Sequence, residues 1–380
     1  MSKVIVFSDL HAHTFKRFAK AGENGVNTRL QAALDVLVFI RQLSRDTGIS
    51  DVIFAGDLFD AKGRVPIVAL NAVYQEFQAW SNAGLNVLAI PGNHDFALRS
   101  GEVHALEVFQ DFPNFHVIHK PDCFIWSLRG KRNDLSSGSL AICAVPYRES
   151  YLKSWFDMPI NMRTQFNTHT LCVAHGVVEG CAWKPGLKAD DESILLKQSW
   201  LTQYDFAIVG DVHYPQQLGP ANNILVPGCP WYQHPHERCQ DRGVWIVDIA
   251  TGQTKLYPVP NTPRFMEVLM DERGVWEMED SPAGKIVLLR PDRVGIEDWI
   301  IQETRDEFYE MGASYVEVLS PDAAEETNKT STVRLSLDAI DSPSDVFKKV
   351  LRSGLVETRG ECFDELERLG LELLKELHAD

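Results

Sequence analysis

Apolar residues along this chain gather in short runs that stop abruptly at polar ones. Val4-Ile5-Val6-Phe7 stops before Asp9, Val52-Ile53-Phe54-Ala55 before Asp57, and Val87-Leu88-Ala89-Ile90 before Asn93. Leu171-Cys172-Val173-Ala174 stops at His175, and Phe206-Ala207-Ile208-Val209 before Asp211. The runs are too short for helices and rich in β-branched or aromatic side chains, so they read as buried strands. Elsewhere the period lengthens to that of a helix. Leu30, Leu34, Leu37, Phe39 and Ile40 predict one over 27–45, and Val68, Leu70, Val73, Phe77 and Trp80 a second over 66–82. Residues 115–146 hold further strand-like pieces around a polar turn, and 147–170 read as a loop with a short helix.

The residues just past each strand are poorly explained by packing, because a strand seeks burial while Asn, His and Asp seek partners. Asp9-Leu10-His11, Gly56-Asp57-Leu58-Phe59-Asp60, Gly92-Asn93-His94-Asp95, His175-Gly176 and Gly210-Asp211-Val212-His213 all stand at strand ends. Such ends line the rim where open α/β sheets bind ligands, and the number of Asp, His and Asn there suits a two-metal site. Other polar residues read differently. Asp60 is expected to orient neighbours rather than bind metal. His104, His116 and His119 lack partner spacing and read as structural, and His169 stands at the wrong end of its strand. His13 is a weak extra ligand candidate. His234-Pro235-His236 reads as an exposed loop. Lys16, Arg17 and Lys20 form a basic loop that either tracks a phosphate backbone or is solvated, and Arg99 is a phosphate contact only if its loop folds back over the rim.

The ordered set D-x-H, G-D-x-x-D, G-N-H-D, H-G and G-x-x-H resembles the calcineurin-like metallophosphoesterases over about the first two-thirds of the chain. Pro227-Gly228-Cys229-Pro230, the polar loop after it and the strand Gly243-Val244-Trp245 resemble the SbcD-like branch, the double-strand-break-repair nucleases. The resemblance implies an α/β fold: a metallophosphoesterase β-sandwich flanked by helices, with a small α+β capping domain and a C-terminal helical pair. It implies Asp9, His11 and His213 on one metal, Asn93, His175 and Asp211 on the other, and Asp57 bridging. The metals would be Mn2+, with Mg2+ next and iron and zinc as alternatives. His94 would protonate the leaving group or steady the transition state, with Asp95 holding its imidazole. Where the family has G-H-x-H this chain has Asp211 at the first ligand, so Asp211→His is expected to shift metal preference without abolishing activity. Partners implied are DNA, an SbcC-type ATPase bound through the C-terminal helices, and a second copy in a homodimer.

These readings divide the chain into a nuclease domain (1–258), a capping domain (259–320), a linker (321–341) and a helical partner-binding segment (342–380). The cap reads β-β-α-β: strands at 265–269, 285–290 and 314–319, with a helix over 296–311. In the last segment Ser342-Pro343-Ser344-Asp345 marks a helix start, and Phe363, Leu366, Leu369, Leu373 and Leu377 form one stripe. Of the formal net charge of −16, about −15 falls after Phe265, so the total says little about the site. Seven scattered cysteines without a C-x-x-C pair read as reduced thiols, and a cytoplasmic protein is expected. Two other functions stay open: a phosphatase or cyclic-nucleotide phosphodiesterase with the same metals, and a scaffold that regulates an ATPase through a degenerate site.

Overall fold

The computed structural model describes residues 3–320, apart from 23–24, 61–62, 98–102, 129–130, 133–138, 158–167, 192, 194, 239 and 279. Arg99, the linker and the C-terminal helical pair therefore lie outside the described residues. In chain order the strands are β1 (Lys3–Phe7), β2 (Asp51–Phe54), β3 (Asn86–Ala89), β4 (Phe115–Val117), β5 (Asp122–Ser127), β6 (Lys131–Arg132), β7 (Ser139–Val145), β8 (His169–His175) and β9 (Ala182–Lys184). They continue as β10 (Leu187–Lys188), β11 (Phe206–Gly210), β12 (Gln216–Leu218), β13 (Ile224–Val226), β14 (Gly243–Asp248), β15 (Gln253–Pro258), β16 (Phe265–Met270), β17 (Ile286–Pro291) and β18 (Tyr315–Val318). All five apolar runs are strands.

Six of them form one sheet in the order β15-β14-β1-β2-β3-β4, and seven form a second in the order β12-β13-β11-β8-β7-β5-β6. β1, β2 and β3 run parallel, as do β7, β8, β11 and β13. The sheets face each other: Val4, Val6, Ile53, Leu88 and Ile90 pack against Ile142, Leu171, Val173 and Ile208. Alternate residues of the first sheet, Ile5, Phe7, Val52, Phe54 and Val87, point the other way. They pack on helices α1 (Thr28–Thr47) and α2 (Ile67–Asn82) through Leu37, Ile40, Val73, Phe77 and Trp80. The outer face of the second sheet is covered by Phe156, Leu196 and Leu201. With both faces of each sheet covered, strands apolar at every position are what the architecture demands. Helix α1 starts where Asn27 accepts the N–H of Leu30 at 2.9 Å and stops at Gly48, in the left-handed region at φ 70°.

The small third sheet is parallel throughout, in the order β16-β17-β18, with the helix Asp298–Glu310 between its last two strands. Met1–Pro321 form one compact unit, within which the chain passes from the six-stranded sheet to the small one between β15 and β16. Phe18, Tyr232, Phe265, Ile286 and Leu288 form a cluster that joins the small sheet to the rest. Five described cysteines are free thiols, and no helix among the described residues is long and apolar enough to cross a membrane.

Candidate metal centre

The parallel strands β1, β2, β3, β8 and β11 bring their C-terminal ends to one rim, and after β1, β2 and β11 the backbone enters positive φ. Asp9 (φ 54°), His11 (48°), Asp57 (62°) and Asp211 (102°) are four of the seven described non-glycine residues at positive φ. Such backbone costs of order 1–3 kcal/mol per residue and persists only where the surroundings fix it. Glycine precedes three of the site residues for a reason of space. A Cβ on Gly92 would lie 2.2 Å from Asp57 Oδ1, one on Gly56 2.3 Å from His175 Nδ1, and one on Gly210 2.2 Å from the Ala55 carbonyl oxygen.

The donor atoms converge in overlapping groups: Asp9, His11 and His213; Asp9, Asp57 and His175; and His11, Asp57 and His94. His11 Nε2 is 3.1 Å from His213 Nε2 and 3.5 Å from Asp57 Oδ2. On the other side His175 Nε2 lies 3.2 Å from the Asn93 side chain, 3.6 Å from Asp57 Oδ1 and 3.8 Å from Asp211 Oδ1. Asp211 also gives its backbone N–H to Asp9 Oδ1 at 3.1 Å. Thus Asp9 as well as Asp57 stands between the two groups. Asp9, Asp57 and His175 are almost wholly buried. So many buried acceptors, with two imidazole nitrogens facing each other, need shared positive charge, and the oxygen and nitrogen donors fit two divalent cations.

The electrostatics carry the same signature. Burial disfavours a charge on His175, yet Asp57, Asp211 and Asp9 carry its pKa up to about 10. Burial likewise works against the Asp57 carboxylate, but His175, His11 and His94 hold it well below the usual carboxylate range.

Around these donors the structure redistributes two expected roles. Asp95 does not hold the His94 ring: its carboxylate accepts the backbone N–H groups of Asp57, Leu58 and Gly92, each at 2.9 Å, and of Phe59 at 3.2 Å. Burial and the Asp57 charge push Asp95 up to about 7, against those donors. The residue at His94 Nδ1 is Asp60, whose Oδ1 is 2.9 Å away and also lies 3.6 Å from His11 Nδ1. Glu237 was missed altogether. Buried beside the exposed His234 and His236, it lies 3.3 Å from His213 Nδ1 and 3.6 Å from Arg242, and its Oε2 accepts the N–H groups of Gln233 (2.7 Å) and His234 (3.1 Å). A carboxylate three residues after His234 is the capping-box spacing, the one signal that could have found it. On the opposite side the Ala55 carbonyl, 2.7 Å from His175 Nδ1, fixes that ring's tautomer.

The remaining candidates stay apart from the donors. Arg17 turns to the small sheet, with Nε 3.5 Å from Glu317 and its guanidinium 4.6 Å above the Phe18 ring, while Lys16 is exposed. His13, His234 and His236 enter none of the donor groups, and His169 lies at the far end of β8, 3.9 Å from Asp205. His104 stacks on His119.

Residues 2–215 match the profile of the calcineurin-like phosphoesterases, a span holding every donor from Asp9 to His213. Exonuclease subunit 1 of Enterobacteria phage T4 is 22% identical over 220 residues, 57% of this chain, which spans 58% of that relative's length. Among solved structures, a dimetal phosphatase from Danio rerio shares 13% identity at a TM-score of 0.40, over 64% of this chain and 91% of that one. GAP50, the anchor in the inner membrane complex of Plasmodium, shares 10% at 0.41, over 68% and 88%. With more than half its length matched by the profile, the chain belongs to the calcineurin-like phosphoesterase family.

Proposed function

We propose that the chain is a two-metal-dependent DNA phosphodiesterase of the SbcD type, with exonuclease and single-strand endonuclease activity in DNA end processing and repair. The observation that carries DNA over other phosphoesters is the likeness to a protein named exonuclease subunit 1. Asp9, His11 and His213 would hold one cation and Asn93, His175 and Asp211 the other, with Asp57 shared. The mixture of carboxylate and imidazole donors favours Mn2+, with Mg2+ second. Two such ions supply Lewis acidity and an activated water for in-line attack on phosphorus. The chain's own part is orientation and proton transfer. Asp60 fixes the proton of His94 at Nδ1, so exchange with the departing alkoxide runs through Nε2. Glu237 and the Ala55 carbonyl hold His213 and His175 from behind. An SbcC-type ATPase bound through the C-terminal segment, and a second copy of the chain, would complete the assembly; the relative's name, exonuclease subunit 1, is in keeping with a multi-subunit protein and says nothing of which partners.

One assay tests the reading. The protein is incubated with Mn2+ and labelled single- and double-stranded DNA, and separately with p-nitrophenyl phosphate, beside Asp57→Ala. Metal-dependent DNA cleavage lost in Asp57→Ala is expected. Hydrolysis of p-nitrophenyl phosphate alone would make the enzyme a phosphatase, and no hydrolysis of either would leave a scaffold.

A further inference from the structure

Three imidazoles stand in nearly parallel succession beginning at the metal centre. The His213 and His234 rings are 6.3 Å apart with 17° between their planes, and the His234 and His236 rings 5.5 Å apart with 7°. The innermost ring belongs to the donor set, whereas the outer two are exposed and, among the described residues, belong to no group that could hold a metal. Their backbone is pinned from beneath. Buried Arg29 donates to the carbonyls of Tyr232 at 2.9 Å and Gln233 at 2.8 Å, and Glu237 takes the N–H groups of Gln233 and His234. Pro235 fixes φ between the two exposed histidines. Flat rings on an immobilised loop, exposed to solvent and aligned with one another, are pre-organised for another flat ring.

We propose that His234 and His236 form a stacking platform for an unpaired nucleobase beside the phosphate held at the metal centre. This rests on the nuclease reading and narrows its substrate. Every base offers a π-face, and stacking on an aromatic side chain contributes about 1–3 kcal/mol per base. A base inside a duplex is already stacked on its neighbours, so only a single strand, a frayed end or an unpaired loop can use the platform. Phosphate recognition alone would require no parallel alignment of the rings.

The test compares His236→Ala, which removes the outer ring, and His236→Phe, which keeps a flat one, with the unaltered full chain loaded with Mn2+. Three substrates are used: a single-stranded oligonucleotide, the same strand with abasic residues, and bis-p-nitrophenyl phosphate, a phosphodiester without bases. In His236→Ala the kcat/KM for the oligonucleotide relative to the base-free diester is expected to fall about tenfold, mainly through KM. Phe should restore the ratio to within about twofold. The abasic strand should show the same loss in the unaltered protein and no further loss in His236→Ala. An unchanged ratio, or an equal fall on both diesters, overturns the platform and leaves the ring as support for His213. Turnover of bis-p-nitrophenyl phosphate without any DNA cleavage by the unaltered protein removes the nuclease reading, and the platform with it.

Discussion

A histidine can deliver a proton to a leaving group only if the proton's position on the ring is fixed beforehand. In the proposed mechanism Asp60, 2.9 Å from His94 Nδ1, would do this while standing outside the three donor groups. Asp60→Asn should therefore lower kcat by about 10^2 while metal stoichiometry stays as it was, read by turnover beside a metal titration. A fall in metal content to match the lost turnover would instead make Asp60 a support for His11. His175 gives a pH test. Its unfolded ring titrates near 6.5, while in the fold without cations it holds its proton up to about 10. Because the folded value is raised, the charged ring stabilises the cation-free protein fully below about 6.5, and that contribution fades as pH rises toward 10. A cation needs the neutral ring, so below pH 10 its binding expels a proton and apparent affinity rises with pH. Calorimetry near pH 7.5 in two buffers of different ionisation enthalpy should show about one proton released at this site. Heats that do not depend on the buffer would take His175 off the metal.

A strand end serves as a ligand carrier here because glycine lets two neighbouring ends meet. Gly92→Ala sets a methyl carbon 2.2 Å from Asp57 Oδ1 and 2.5 Å from its backbone nitrogen, neither of which can retreat, since Asp95 holds that nitrogen. The substitution should cost about 2–4 kcal/mol and most of the metal affinity, checked by denaturant unfolding and metal titration; a neutral outcome would mean the two loops yield more readily than their hydrogen bonds imply. The same element explains what could be read in advance. The donors were legible because five apolar strands break off at residues that packing has no use for. Asp95 was misread because its four partners include the N–H groups of residues 57–59, far away in sequence. Glu237 was overlooked because only the folding of its loop beneath His213 gives it a role. Arg17 could be read in sequence either as a phosphate contact or as solvated, and only the fold shows it beside Glu317 of β18.

Across Met1–Pro321 the site is a seam between two sheets. Asp9, His11, Asp57 and Asn93 come from ends of the six-stranded sheet, His175, Asp211 and His213 from ends of the seven-stranded one. The small sheet adds no attraction for phosphate, since residues 266–320 hold 14 acidic side chains against 5 basic ones. Cations held across the seam bind the folded state and not the unfolded chain, so they tie the sheets together by linkage. At a hundredfold excess over Kd each contributes about 2.7 kcal/mol, enough to raise Tm by about 5 °C in a unit of this size. Scanning calorimetry of cation-free protein against protein with Mn2+ should show that rise, and Asp57→Ala, which removes the carboxylate shared between both groups, should abolish most of it. If the Tm of Asp57→Ala rises with Mn2+ as much as that of the unaltered protein, the cations are bound somewhere other than the seam.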